Sequence, residues 1–402
     1  MLEHAKMAGI PVIIEPNAHQ LWHEIANADI VQMEWWNHPL ISRLLWNFDF
    51  PDMRLLIWSH VSGLTPPMLI IQELIEFADL FVCGTPYSFN NPAIQQHRHT
   101  GQIGMVQQST GIERTHDVQS RKHKGFQVGY IGTLDYYKMH PEFIDICAII
   151  NIPNVQFIVC GEGDNLAQIK MQAQQAGLRG KITFTGYVEN INDYLAVFDV
   201  FGYPLNRDHY GTTELVLIEA MAAGIPPVVF SGASEQYVVT HNQTGLVVDT
   251  HQEYASAIEF LYRHPSEKVR LGQNARQYVQ EYFSIEKVVE NITVYYRQLL
   301  ARQKHPHIFP LHGNASYQQF MAFTGKYKTY FEQSIQQKNR LTSKAVEQTI
   351  AQCSQLMQAR TRGSIFHYLR YNPTDPWLNY WAGLIEEQKK KAGWASAFSE
   401  NV

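Results

Sequence analysis

The residues with the most chemistry to offer lie between positions 211 and 230. Gly211-Thr212-Thr213-Glu214 leads into Leu215-Val216-Leu217-Ile218-Glu219-Ala220-Met221-Ala222-Ala223-Gly224, and Ile225-Pro226-Pro227-Val228-Val229-Phe230 follows. The pattern reads as a loop, a short helix and a buried strand. Gly211 permits a tight turn, and Thr212 or Thr213 can cap the unpaired amides of the first helical turn. Those amides and the helix dipole favour an anion such as a nucleotide diphosphate. Glu219 stands beside Leu215, Ile218 and Ala222, which follow the spacing of a core face. A carboxylate in that place needs hydrogen-bond donors, and a ribose diol is a good one. Glu214 and Glu219 are about 140° apart on an ideal helix, so they do not share a face. Gly224 reads as the C-cap, and Pro226 and Pro227 stop the helix. The same block also suits an ordinary capped core helix, so the neighbouring elements have to decide between the two.

Those elements alternate. Apolar runs at 11–15, 29–35, 54–59 and 80–84 read as strands separated by helices, which predicts a parallel sheet covered on both sides. Residues 111–125, rich in Arg, Lys and His, read as a linker. A second alternating unit places strands at 127–131, 155–160, 181–185, 200–204 and 227–230, and helices at about 265–302 close it. The predicted organisation is a domain over 1–120, a second over 121–302 and a helical extension over 303–402. With 402 residues and 45% hydrophobic residues, the chain can build two ordinary cores. A net charge of −5 gives no general attraction to nucleic acid or an anionic membrane. Cys83, Cys147, Cys160 and Cys353 stand far apart, without metal-like spacing, and read as reduced core thiols of a cytoplasmic protein. No apolar run is long enough to span a membrane, no signal peptide is present, and none of the eighteen histidines forms a His-x3-His pair carrying the Glu that would suggest a zinc enzyme.

The second unit carries an ordered series of motifs. Gly129-Tyr130-Ile131-Gly132-Thr133-Leu134-Asp135-Tyr136-Tyr137-Lys138 falls at a strand end, and Ile158-Val159-Cys160-Gly161-Glu162-Gly163-Asp164 makes a glycine turn. Ile182 to Val188, Asp199 to Pro204, Ser231 to Glu235 and Asn242 to Val248 complete the set around the 211–230 block. Over residues 126–300 the series resembles the GT-B glycosyltransferases, specifically the large retaining glycosyltransferase family 4. The resemblance implies an α/β fold of GT-B type, with two Rossmann-like domains facing a cleft and here a C-terminal helical extension. It also implies transfer of a sugar from a nucleotide diphosphate sugar to a glycan or lipid-linked acceptor, with retention of anomeric configuration.

Site residues follow from the same resemblance, position by position. Glu219 matches the second of two glutamates that the family spaces eight positions apart, the one that binds the donor's ribose. The first falls on Gly211, and Glu214 is displaced three residues along. Lys138 matches the lysine of an Arg–Lys diphosphate clamp, whereas Thr133 stands in the arginine's place. Gly132, Thr133, Tyr187, Gly211, Thr212, Thr213, Leu215 and Glu219 are the expected donor-binding residues, with Tyr187 either stacking on the base or packing. His60, Lys138 and Glu214 are the expected catalytic set. His60, in Leu56-Ile57-Trp58-Ser59-His60, either faces the donor sugar or is a satisfied strand-end residue. Glu34, Trp35 and Trp36 either line an acceptor site or have a core or domain-contact role. No Asp-x-Asp occurs in the chain, so neither a metal nor any cofactor beyond the donor is expected.

The first unit matches the family less fully, because Met1 falls in a helix over 2–8 and the family's opening strand is missing from the pattern. In the extension, helical patterns occupy 316–337, 343–360 and 377–391, with Asn372-Pro373-Thr374-Asp375-Pro376 as a turn. Leu378, Trp381 and Ile385 share one face of the last helix, and lysines 389–391 follow. That face suits either peripheral contact with the inner side of a membrane or packing on neighbouring helices or a partner chain. Two function classes remain from sequence: an active glycosyltransferase of polysaccharide biosynthesis, and a non-catalytic sugar-nucleotide-binding or regulatory subunit.

Overall fold

The structure is a computed structural model that describes residues 2–109, 112–115, 117–336 and 344–391. Two parallel sheets form its frame. The first runs β1 (Val31–Trp35), β2 (Leu55–Ser59), β3 (Leu80–Cys83) and β4 (Ile103–Met105) in simple order. The second contains β5 (Phe126–Ile131), β6 (Val155–Cys160), β7 (Ile182–Gly186), β8 (Val200–Tyr203), β9 (Pro227–Phe230) and β10 (Leu246–Val248), in the order β10-β9-β8-β5-β6-β7. Leu-, Ile- and Val-rich strands such as β3 and β9 are buried throughout, as parallel strands covered by helices on both faces must be. The result is an α/β fold of GT-B type with a C-terminal helical part. Most sequence-predicted strands fall within two residues of the observed ones.

Residues 11–15 do not form the expected strand. Ile10, Val12, Ile13 and Ile14 are exposed, and Glu15 adopts a left-handed φ of 50°. An apolar run becomes a strand only where a neighbour completes its ladder, and β1 pairs with β2 alone. The short strands β4 and β10 were not legible as separate elements.

The long helix Ile285–Leu300 returns from the second domain to the first. Ile292 and Leu299 pack with Leu56, Leu80, Val82 and Val106, and the Tyr295 hydroxyl accepts the Met105 amide at 3.0 Å. The extension then adds its own apolar cluster around Phe320, Phe331, Tyr368 and Trp381. It is not a separate body, because Phe309 and Phe323 enter the core of the first domain beside Trp35 and Trp46. The pattern over 316–337 is broken at Thr324–Tyr327 into Ser316–Ala322 and Lys328–Gln336, and residue 337 lies outside the described residues. Residue 343 lies outside them too; the pattern after it forms Lys344–Ala351 and Gln355–Gln358, with Ser354 capping the second.

The last helix, Pro376–Lys391, settles the use of its apolar face. Leu378, Trp381 and Ile385 are fully buried inside the extension's cluster, and Lys389 Nζ donates to the Gln358 carbonyl at 2.7 Å. That face is internal packing and is not available to a bilayer. The Tyr368 hydroxyl donates to Asn37 Oδ1 and meets Ser42 Oγ, both at 2.8 Å, tying the extension to the first domain. Tyr368→Phe leaves two buried polar groups short of a partner, so it should lower stability by about 1–2 kcal/mol. Urea denaturation followed by tryptophan fluorescence checks this; an unchanged midpoint would remove the contact from the account.

Candidate active site

The second sheet reverses its build at β5: the chain goes on to β6 and β7 on one side, then crosses to β8 on the other. In open α/β sheets ligands bind outside the carboxyl ends of strands at such a switch point. A cavity of about 570 Å³ opens there. Gly132 and Thr133 line it after β5, Cys160 and Gly161 after β6, Tyr187 after β7, and Val216 and Glu219 from the helix Leu215–Ala222. Gly161 has a φ of 138°, and a Cβ there would fall 1.9 Å from the Gly132 carbonyl oxygen. Two strand ends can meet this closely only at glycine. Tyr187 is 75% exposed at the cavity, so its ring is presented rather than packed.

Glu219 enters the cavity from a helix that is apolar on every other side, with Leu217, Ile218, Ala220, Met221 and Ala222 fully buried. Burial pushes its carboxyl up to about 7, although Arg114 Nη2 lies 3.3 Å from Oε1 and acts the other way. A carboxylate so placed lacks the donors it would have in water, and a ligand diol can supply them. Arg114 belongs to a short helix, Ile112–Thr115, inside the segment that sequence reads as linker.

Glu214, at the N-cap position before the helix, does not line the cavity. Lys138 Nζ lies 2.9 Å from Oε2, and the Tyr203 hydroxyl donates to the same oxygen at 2.9 Å. Oε1 faces His209 Nδ1 at 3.8 Å, and His209 Nε2 lies 2.7 Å from Glu235 Oε1. His209, Glu214 and Glu235 are almost completely buried, while Lys138 keeps about a quarter of its side chain exposed (26%). Burial would raise the Glu214 pKa, but Lys138 and then His209 outweigh it and hold it below the ordinary value. Burial likewise opposes the charged forms of Lys138 and His209, and the carboxylates of Glu214 and Glu235 hold both above their ordinary values.

This network shows what surrounds Gly211, the position three residues before Glu214. A Cβ on residue 211 would lie 1.9 Å from Glu214 Oε1 and 2.9 Å from His209 Nδ1. The Glu214 carboxylate therefore fills the space into which a side chain at 211 would project. The helix begins one residue later than the threonines suggest, with Glu214 at the N-cap position and no side chain capping it. Thr213 Oγ1 instead donates to the Gly84 carbonyl at 3.1 Å, and Thr212 is buried within 3.2 Å of the Cβ that Gly84 lacks. Both threonines hold the loop against the end of β3. Leu215 is 38% exposed, and Val216 rather than Leu215 lines the cavity.

His60 does not line that cavity. Its ring stacks on Trp36 at 4.1 Å, lies tilted against Trp58 at 5.6 Å, and Nε2 contacts Glu34 Oε2 while Gln108 Nε2 stands 3.2 Å away. Trp35 is core. The loop after His60 reaches the second domain, where the Ser62 amide donates to the Tyr210 carbonyl at 2.8 Å.

Three groups of side chains among the described residues have ligand atoms close enough to share a cation. In His209, Glu214 and Glu235 the Lys138 ammonium already supplies the positive charge. In Asp79, His305 and His307 the carboxylate is taken by both imidazoles and the Leu55 amide, which hold its pKa at about 2 against burial. His140, Glu142 and His251 lie on the second domain's flank, where His251 Nδ1 is 3.3 Å from Glu142 Oε2. Sequence reasoning missed Arg114, Tyr203, His209 and Glu235; Tyr203, in the Asp199–Pro204 block, and Glu235, in the Ser231–Glu235 block, carried a local signal.

Residues 111–278 match the family model "Glycosyl transferases group 1". Among curated relatives, the lipopolysaccharide core biosynthesis glycosyltransferase LpsE of Rhizobium meliloti is 28% identical over 156 residues, 38% of this chain and 44% of that protein. A GDP-mannose-dependent α-(1-6)-phosphatidylinositol monomannoside mannosyltransferase of Mycobacterium tuberculosis is 29% identical over 136 residues, 32% and 35% of the two chains. The chain thus spans less than half the length of these relatives. Among solved structures, Anabaena Alr3699/HepE in complex with UDP superposes with a TM-score of 0.60 at 17% identity, covering 74% of this chain and 89% of that one. Sucrose-phosphate synthase from Thermosynechococcus elongatus gives 0.56 at 20% identity, over 71% and 77%. The match to group 1 glycosyl transferases thus falls on the second domain, and the superpositions show a GT-B fold.

Proposed function

We propose that the chain is a retaining glycosyltransferase of the family 4 kind, moving a sugar from a nucleoside diphosphate sugar to a glycan or lipid-linked acceptor. The observation that carries this reading is the helix Leu215–Ala222 with its N-cap residue, where one carboxylate in the helix and one at its start serve two places at once. Glu219 offers hydrogen-bond acceptance to a ribose diol in the cavity after β5, and Glu214 anchors Lys138 at the other side of the helix start. The base lies by Tyr187. The leaving diphosphate is held by Lys138 and by the first-turn amides, which no side chain caps. His60, oriented by Glu34 and clamped by Trp36, stands on the first-domain side, where it orients the transferred sugar. Thr133 supplies no charge, so the clamp depends on Lys138 alone among the motif residues.

No helix among the described residues is long and apolar enough to cross a membrane, and the acceptor is reached from the cytoplasm in this proposal. The glycosyltransferase relatives favour an enzyme over a non-catalytic subunit. Incubation with UDP-, GDP- and ADP-sugars tests it: release of the matching nucleoside diphosphate is expected from one of them, and binding without release from any would return the chain to the regulatory class. The diphosphate charge is met by Lys138 and amides, so turnover should persist in excess EDTA. Full loss of turnover, restored by manganese, would contradict that part.

A further inference from the structure

A second large cavity, about 790 Å³, lies where the first domain, the second domain and the extension meet. We propose that it binds a neutral oligosaccharide and is the subsite for the acceptor glycan, a reading that rests on the donor assignment above.

Its position comes from the segment 132–138. Gly132 opens that segment in the nucleotide cavity, and Tyr137 ends it in this one, directly before Lys138. Asn206 ties the two together: its amide N–H donates to the Lys138 carbonyl at 2.7 Å, and its side chain donates to the Tyr136 carbonyl at 2.7 Å and to Gln355 Oε1 at 3.1 Å. An acceptor presents one hydroxyl at the donor's anomeric carbon while the rest of its chain extends away from the nucleotide. This cavity is lined by Tyr137, the chain neighbour of Lys138, so it adjoins the residue assigned to the leaving diphosphate.

Its chemistry fits a sugar chain. Amide side chains of Gln352, Gln355 and Gln358 offer donors and acceptors together, and the rings of Tyr137 and Tyr327 offer flat apolar faces of the kind that pack on sugar C–H faces. One carboxylate, Asp208, and one ammonium, Lys326, offset each other, so the lining has no anion-binding cluster. The extension makes this wall, and Ser354 Oγ seals it to the first domain by donating to the Pro66 carbonyl at 2.9 Å. The extension would therefore determine which acceptor is used without touching the nucleotide.

Saturation-transfer difference NMR on the full chain tests this with maltotetraose, cellotetraose, chitotetraose and α-1,6-mannotetraose as probes, and calorimetric titration with UDP, GDP and ADP on the same samples follows the donor site. At least one tetrasaccharide should bind with a Kd of about 10 mM or tighter. Tyr327→Ala should weaken it about tenfold or more while nucleotide affinity changes by less than about twofold. Leu69→Trp, which fills the cavity from the opposite wall, should do the same and decides the matter if Tyr327→Ala fails to fold. Absence of binding by all four sugars, or unchanged binding in the folded variants, overturns the proposal. Sugar binding in a chain that binds no nucleotide would instead sink the donor assignment and leave this site standing as a glycan site.

Discussion

Glu214→Ala should leave Lys138 and His209 facing a buried gap, lowering stability by about 3–5 kcal/mol, and should remove most glycosyl transfer. The size follows from asymmetry: the pair is held in place by Tyr203 and His209, so truncating one partner strands charge in a largely buried site. The sharper expectation concerns residue 211. Gly211→Asp alone places a second carboxylate on top of Glu214 Oε1 and should destabilise as strongly, because the Cβ would be 1.9 Å from that oxygen. Combined with Glu214→Ala, it returns a carboxylate to the vacated space from the other side of the loop. The double variant should therefore recover at least about 2 kcal/mol over Glu214→Ala alone. Chemical denaturation of the four proteins checks this as a double-mutant cycle. Additive losses would show that Glu214 does not fill the place of a side chain at 211.

Glu219→Gln should act in opposite directions on stability and on binding. The Glu219 carboxyl titrates at about 7 in the folded chain and near 4.5 when exposed. Between those values the folded state binds the extra proton, so stability falls as pH rises through that window and the ionised group is a burden above it. Replacing it with a neutral amide should stabilise the unliganded chain at pH 8 by on the order of 2 kcal/mol, and should change little at pH 4. Nucleotide affinity should fall at the same time by about 10- to 100-fold, the worth of hydrogen bonds to a charged acceptor. The native chain should bind UDP more tightly at pH 8 than at pH 6 by more than the variant does, which separates the carboxylate from the titration of the nucleotide itself. Thermal melts and calorimetric titrations at the two pH values supply both readings. A variant that loses stability, or keeps native affinity, would mean that Glu219 is an ordinary buried acid.

How much of this was legible before the structure follows physical lines. Strands buried on both faces announce themselves as continuous apolar runs, so β2, β3, β6 and β9 were found nearly to the residue. Residues 11–15 carry the same local signal and fail, because ladder partners are supplied by the tertiary structure and no window of sequence contains them. Glu219 and Lys138 were singled out through register within motifs, and the structure places Glu219 at the cavity after β5 and Lys138 against Glu214. Glu214 was singled out as displaced from position 211, because sequence counts positions along the chain, whereas a glutamate side chain can fold back over three residues when a glycine leaves it room. His209 and Glu235 sit 26 residues apart and meet only through the loop that follows β8 and the turn after β9, so nothing local marks them as partners. Arg114 was hidden by composition, since a segment rich in basic residues reads as linker whether or not one of them faces a carboxylate.

The extension shows the same limit in another form. Its last helix has an apolar face followed by lysines, and sequence alone leaves that face open to a bilayer, a partner or its own neighbours. Burial of Trp381 and Leu378 among Phe320, Phe331 and Tyr368 assigns it to internal packing.

The central claim is that a nucleoside diphosphate lies across the carboxyl end of β5, between Tyr187, Glu219 and Lys138. A crystal structure of the chain soaked with the nucleoside diphosphate that it releases tests this most directly. The account predicts the ribose diol on Glu219, the base against Tyr187 and the diphosphate at Lys138 and the start of the helix Leu215–Ala222. A nucleotide bound elsewhere, with the cavity after β5 empty, would contradict it.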